Sequence, residues 1–566
     1  MPDEDDPWPH QRCDSLAPPS EILPAAPTTP APAVLSRRLA STRLEKTLVD
    51  HISNMRPAAP DILRAVPARS ALFGFGQALR QKNRPVHHLS HAVTAIDEFW
   101  SHSWHGRLWT QILTLLLINN RLPAFCAANL AALLGASLFA FEALPGGWYP
   151  DSDASPKSFW AVLLGTLTYT LVLLAWPARQ SVFIDAICID REDHTRRSQG
   201  LISIGAFLKE SASMVLLWDA TYCSRLWCVF EMAAFMHSRK DGERPKLEIH
   251  PTSLGPACVF STAAITGVAF CTRLLPENRP ALFWSVQAFI ILFGCYACVR
   301  FFRQYLRSIE TLHQEMRTFS TDKTDCYCCS TGHVQTQHCD REILLKCITL
   351  WFGSVQMFEQ AVRADVVQIL TKQLTTDFVS YKMCVLAFSA EVWVHLDLAS
   401  AEFRFRPELS RAHSTVLRGF VWWLANVPVI VFVMMRLAHV LRSRRRSWLM
   451  DEIINVCILV CVVVVSLAIV RLEMQCELVM EGLMPETRVR HWWGMALFGA
   501  IMGPVAFLLF ACVGPAPPPW NVPKMGQTGP SLEDGEDVVK GPLGSESEVR
   551  GGTDASLRFA LCAQWV

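Results

Sequence analysis

The chain has 566 residues, of which 51% are hydrophobic and only 18% charged, with a mean hydropathy of +0.23. Soluble domains carry about 25% charged residues, so a purely soluble enzyme of this size would lack polar cover, and a disordered scaffold would not hold so much apolar material. Fifty-two Lys and Arg against 51 Asp and Glu leave a formal charge of +1, which gives no reason to expect a nucleic-acid partner. The twenty cysteines are too scattered for a disulfide scaffold; several lie in apolar stretches, where Cys acts as a small hydrophobe.

The acidic start, MPDEDDPWPHQ, lacks a charged-then-apolar pattern, so no cleaved signal is expected. Residues up to about 35 are rich in Pro and Ala and read as disordered. Leu35, Leu39, Leu44, Leu48 and Ile52 recur at near-helical spacing among Arg and Lys. They read as a linker helix or a helix lying on the membrane, and the whole stretch 1–90 reads as a disordered or linker region. His87, His88 and His91 read as a solvated cluster.

Ala95–Asn120 then holds a short apolar strand, a Ser/His turn and a helical pattern of Leu and Ile. Uncharged runs at Pro123–Leu144 and Phe159–Trp176 have the length of bilayer helices, about 20 residues each, and predict a hairpin. From Ser181 the chain offers VFIDAICI as a buried strand, DREDHTRR as a polar loop, and a helical stripe of Leu201, Ile204 and Leu208. SMVLLW follows as a second strand, RLWCVFEMAAFM as a helix, and KLEIHP at Lys246–Pro251 as a further strand. Strand–helix alternation with near-continuous apolar strands predicts a parallel sheet covered on both faces. Residues 92–121 and 180–252 are therefore two parts of one α/β domain, split by the membrane hairpin at 123–176.

Runs at Leu254–Leu275 and Ala281–Val299 predict a second hairpin, and 301–416 reads as a helical region outside the membrane. It opens on CYCCSTGHVQTQHC, where Cys326, Cys328, Cys329, His333, His338 and Cys339 crowd together. Cys326, Cys329, His338 and Cys339 offer the four ligands of a tetrahedral zinc. Reduced packed cysteines and a redox-sensitive pair are the alternatives. Phe420–Val440, Ile453–Val470 and Trp492–Val513 predict three more spans, and 514–566 reads as a disordered tail. A marginal span at Met383–Ala399, carrying Glu391, His395 and Asp397, would bring the total to eight. Without it, Arg442, Arg444, Arg445 and Arg446 fall on the side opposite the α/β domain, against the positive-inside tendency. Six to eight spans are expected, and the lipid bilayer is the first partner.

The segment Ser211–Met232 resembles the second half of a TIR domain, in which a strand precedes a Tyr-x-x-Ser-x-Trp-Cys-x-x-Glu-Leu pattern. Here that pattern reads Tyr222, Cys223, Ser224, Arg225, Leu226, Trp227, Cys228, Val229, Phe230, Glu231, Met232. FIDAICIDR resembles a stretch of heterokaryon-incompatibility domains, which are TIR-like, and FWSHSW at Phe99–Trp104 resembles the first TIR strand. A group of multi-pass TIR-like proteins of unicellular algae carries similar blocks. The resemblance implies a flavodoxin-like parallel sheet on the cytosolic side, homo-oligomers formed through that domain, and a role in signalling.

In many TIR members it also implies cleavage of NAD at the nicotinamide–ribose bond, so NAD is the implied substrate. The position of the family's catalytic carboxylate is Glu231; Trp227, His102, Ser103 and Tyr222 are the implied substrate-binding residues. A carboxylate beside a developing oxocarbenium ion stabilises its charge, and an indole supplies an apolar wall. The same residues also admit a simpler reading: Trp227, Cys228 and Met232 as a core stripe, and Glu231 as a solvated or capping carboxylate. A transporter or channel with a regulatory, non-catalytic TIR-like domain is the competing class, although the spans carry charge only near their boundaries.

Overall fold

The computed structural model describes residues 43, 45–80, 85–103, 106–146, 157–219, 221–239, 246–274, 280–330, 339–366, 380–405, 409–444, 447–484 and 490–513. The Pro/Ala-rich start, the C-terminal tail, His333 and His338 lie outside them.

Six strands form one sheet: β1 (Arg64–Pro67), β2 (His91–Ala92), β3 (Ile96–His102), β4 (Ser181–Phe183), β5 (Ser211–Trp218) and β6 (Leu247–Pro251), in the order β2-β1-β4-β3-β5-β6. Strands β4, β3, β5 and β6 are parallel to one another, while β1 runs antiparallel to both β4 and β2. The sheet is therefore mixed, where an all-parallel sheet was expected. The two antiparallel strands come from residues read as part of the linker or its border. A helix over 45–53 enters the same core, burying Leu48, Val49 and Ile52 beside the sheet. Its apolar stripe faces the α/β domain, not the bilayer.

Periodicity locates β3 and β5, but VFIDAICI is strand only as far as Phe183. Asp185–Cys188 then forms one helical turn, with the Asp185 carboxylate at its positive end. Phe99, Phe183 and Phe207 stack through the core, with centroids 4.7 and 4.2 Å apart. The Leu226–His237 helix covers one face and buries nearly every residue, as a helix apolar all round must.

Among the described residues, five helices are long and apolar enough to cross a membrane: Leu108–Ala140, Trp284–Arg317, Leu409–Val440, Trp448–Leu483 and Trp492–Cys512. Tyr381–Ala387 and Ala390–Phe405, bent by 50° at their junction, make a sixth if counted as one span. Trp160–Ala175 and Leu254–Val268 are shorter apolar helices packed with them. Val460 (55% exposed) and Leu467 (63%) point outward in long apolar rows, which water would not tolerate and lipid would. The chain is a multi-pass membrane protein.

The first helix departs from expectation. Leu108–Ala140 runs through Pro123 without a break, so the helix beginning at the sheet and the first span are one rod. Membrane helices tolerate such a Pro because neighbouring groups satisfy the freed carbonyl. The far bundle loops also take a definite side. Arg442 pairs with Glu310, and Arg303 donates to Leu441 O, which places the Arg442 turn at the α/β end. Arg404 donates to Phe139 O and Leu144 O at the opposite end. Counted as one span, the bent pair runs from the α/β side of the bundle to the Arg404 end.

Candidate functional site

β3 and β5 run side by side, with His102 opposite Leu217. After β5 the chain turns on Asp219, whose Oδ1 accepts from Thr221 N at 2.8 Å and Thr221 Oγ1 at 2.6 Å. That turn launches the Leu226–His237 helix back along the sheet. Five residues into the helix, Glu231 reaches β3, and the Ser101 hydroxyl donates to its Oε2 at 2.5 Å. Ser101 Oγ also pairs with the Tyr222 hydroxyl at 2.7 Å, and that hydroxyl lies 3.4 Å from the Cys228 carbonyl oxygen. A tyrosine–serine–carboxyl relay therefore lies under the sheet's C-terminal edge.

The pocket around it is lined by Ser101, His102, Asp185, Arg225, Trp227 and Glu231 among others, and His102 Nε2 stands 4.0 Å from Asp185 Oδ1. Its volume is about 20 Å³. That is room for one water, whereas ligand pockets run to about 300–1,000 Å³. Glu231 is only 7% exposed, so it is neither solvated nor a cap. Burial raises its pKa to about 8, Asp185 pushes the same way, and Ser101 and Arg225 act against them. At neutral pH it is a neutral acid and a hydrogen-bonding group, and it carries no negative charge for a cationic ring. Burial likewise pushes the Tyr222 hydroxyl and the Cys228 thiol well above their ordinary ranges.

Of the residues singled out in the sequence, His102, Trp227 and Glu231 line this pocket, and Tyr222 joins it through Ser101. Ser103 does not. It lies past the end of β3, its Oγ pairs with Thr221 Oγ1 at 2.7 Å, and its carbonyl accepts from Gln111 Nε2 at 2.9 Å. Trp227 also has a second neighbour: its indole lies against Asp340, whose buried carboxyl is pushed up to about 6. Sequence reasoning missed Ser101, Asp185 and Arg225. Ser101 was within reach, because the period of two that buries Phe99 on one face of β3 carries Ser101 to that same face.

The Cys-rich block assembles in part. Cys326, Cys328 and Cys329 bring their sulfurs within 4.8 Å of one another, and Cys339 approaches two of them. Cys328 thus joins the set, and His338 lies outside the described residues. A cavity of about 640 Å³ among Arg69, Phe73, His88, Asn120 and Trp176 shares no lining residue with the Glu231 pocket. Comparison with protein families, characterised proteins and solved structures finds no match to this chain.

Proposed function

We propose that the chain is a membrane-anchored signalling protein whose TIR-like α/β domain lies on the cytosolic side and acts by self-association. The four parallel strands support the TIR-like reading. Taken in chain order β3, β4, β5, β6, they stand second-first-third-fourth across the sheet, the order of flavodoxin-like folds. The Arg442 turn at the α/β end supports a cytosolic domain through the positive-inside tendency.

One observation carries the signalling role. The Leu108–Ala140 helix puts Ile112, Leu115 and Leu116 into the core beneath the sheet, and Ala128, Ala132 and Ala136 into the core of the membrane bundle. A single rod shared by two cores transmits a tilt in one to the other. A merely tethered enzyme has no need of it. The closed pocket and the neutral Glu231 weigh the same way, since NAD cleavage calls for an open site and an ionised carboxylate.

The test is full-length protein in nanodiscs, with inter-protomer crosslinking through the α/β domain measured beside NAD turnover. Crosslinked dimers without turnover, even when the protein is clustered, are expected. Turnover that disappears in a folded Glu231→Ala variant would instead make this a membrane-tethered NAD hydrolase. The transporter reading draws on one feature: the bent pair places Glu391 on a cavity of about 410 Å³ among the bundle helices. Ion or solute flux in sealed vesicles, lost in Glu391→Gln, would favour it.

A further inference from the structure

Cys326, Cys328 and Cys329 fall within four positions, and Cys339 follows at the start of the Asp340–Phe352 helix. Cys326 Sγ lies 3.0 Å from Cys328 Sγ, Cys328 Sγ 3.8 Å from Cys339 Sγ, and Cys329 Sγ 3.5 Å from Cys339 Sγ. Four sulfurs around a tetrahedral zinc, each at about 2.3 Å from the metal, stand about 3.8 Å apart. Two of the observed separations fall short of that edge and one matches it, and Cys326, Cys328 and Cys329 all lie within 4.8 Å of one another; Cys339 stands outside that group of three and has to close on Cys326 as the metal binds.

The segment carrying this cluster is fixed to the α/β domain on both sides. Asp325 lies in a parallel bridge with Arg225: its N–H donates to Ser224 O at 2.6 Å, and its carbonyl accepts from Leu226 N at 3.2 Å. Within the segment, the Arg341 guanidinium donates to Thr321 O at 2.7 Å and Thr324 O at 2.8 Å, closing the stretch after Cys339 onto the stretch before Cys326. The first turn of the helix that carries Glu231 is therefore bonded to the residue immediately before Cys326, and Asp340, immediately after Cys339, lies against Trp227.

We infer that Cys326, Cys328, Cys329 and Cys339 form a structural tetrathiolate zinc site that staples this segment to the start of the Glu231 helix. Each thiol releases its proton on binding, and four thiolates fill the coordination shell, so no position is left for water or substrate. The metal holds structure and does no chemistry. Removing it frees both anchor points of the Leu226–Glu231 turn.

The experiment is metal analysis of full-length, detergent-purified protein, followed by cobalt substitution. About one zinc per chain is expected, replaced by cobalt with the intense thiolate charge-transfer and tetrahedral d–d bands of an all-sulfur site. Cys328→Ser should lose the metal and His338→Ala should keep it; the reverse pattern overturns the ligand set. If Cys328→Ser fails to fold, the cobalt spectrum of the unsubstituted protein still decides between all-sulfur and mixed ligands. Metal-free protein with four alkylatable thiols, or with a mass deficit showing disulfides, overturns the site. Hydrogen exchange over Leu226–Glu231 should rise at least tenfold on chelation; no change would overturn the staple. None of these readouts depends on signalling or on NAD.

Discussion

Ser101 and Glu231, 130 residues apart, link the sheet to its covering helix through a buried 2.5 Å hydrogen bond. Because Glu231 is a neutral acid at pH 7, an amide imitates it well and a methyl does not. Glu231→Gln should change unfolding free energy by less than about 1 kcal/mol, since Ser101 keeps an acceptor. Glu231→Ala removes that acceptor and opens a void, at a cost of about 2–5 kcal/mol. Thermal unfolding in detergent separates the two. Equal destabilisation by Gln and Ala would mean that the ionised form is the one the fold holds.

The same carboxyl sets a pH dependence. Its folded pKa, about 8, lies above the ordinary value of 4.5, so the folded state binds the extra proton between those limits. Stability from this group is fully present below about pH 4.5 and is lost as pH rises toward 8. The groups facing it are Ser101, Tyr222, Cys228, Asp185, Arg225 and His102. Unfolding measured from pH 5 to 8 should fall more steeply in the wild type than in Glu231→Gln, by on the order of a few kcal/mol across the range. Parallel curves would show that Glu231 titrates normally in the folded protein.

How much of this was legible in the sequence depends on what each element packs against. β5 and the helix after it were readable because SMVLLW and RLWCVFEMAAFM are apolar throughout, and only a doubly covered strand and a buried helix tolerate that. Apolar runs of bilayer length likewise announced the bundle. The stripe at Leu48 and Ile52 was readable as a helix face, but periodicity does not say what covers a face, and β1 supplies only four residues of signal. VFIDAICI misled because Asp185 sits in an apolar run and favours a helix start, a preference weaker than the pattern around it. Pro123 misled in the other direction, as a break that the membrane environment removes. Cys328 escaped the ligand set because a one-residue spacing matches no common finger.

The Leu108–Ala140 rod is tied to the second hairpin at one tight crossing. Gly255 N donates to Thr114 Oγ1 at 3.1 Å, and Thr114 Oγ1 donates to Thr252 O at 3.0 Å, one residue beyond β6. A Cβ at Gly255 would collide with the Thr114 amide nitrogen and stand 2.5 Å from the Leu113 carbonyl carbon. Backbone cannot yield as a side chain does. Gly255→Ala should therefore destabilise by about 1–3 kcal/mol. Gly267→Ala, whose nearest contact is 3.9 Å away, should be neutral or slightly stabilising. If both variants unfold alike, the crossing is looser than these contacts require.

At the opposite end of the bundle, Asp397 caps a helix that is not its own. Its Oδ1 accepts from Ser158 Oγ at 2.5 Å and Ala161 N at 2.9 Å, and its Oδ2 from Val162 N at 3.0 Å. The carboxylate is fully buried, and it meets the positive end of the Trp160–Ala175 helix. Asp397→Ala leaves two amides and a hydroxyl unpaired in apolar surroundings, a loss of about 3–5 kcal/mol. Asp397→Asn keeps one acceptor oxygen but turns a donor toward the second amide, so it should fall between. Ser158→Ala should cost about 1 kcal/mol alone and almost nothing in the Asp397→Ala background, because the two share one bond. Unfolding in nanodiscs measures all four variants. The Trp160–Ala175 helix leads within six residues into β4. Loss of the cap should therefore also raise hydrogen exchange at Val182 and Phe183, across the bundle from the substitution. An effect on stability with β4 exchange unchanged would mean that the two ends of the bundle are mechanically separate.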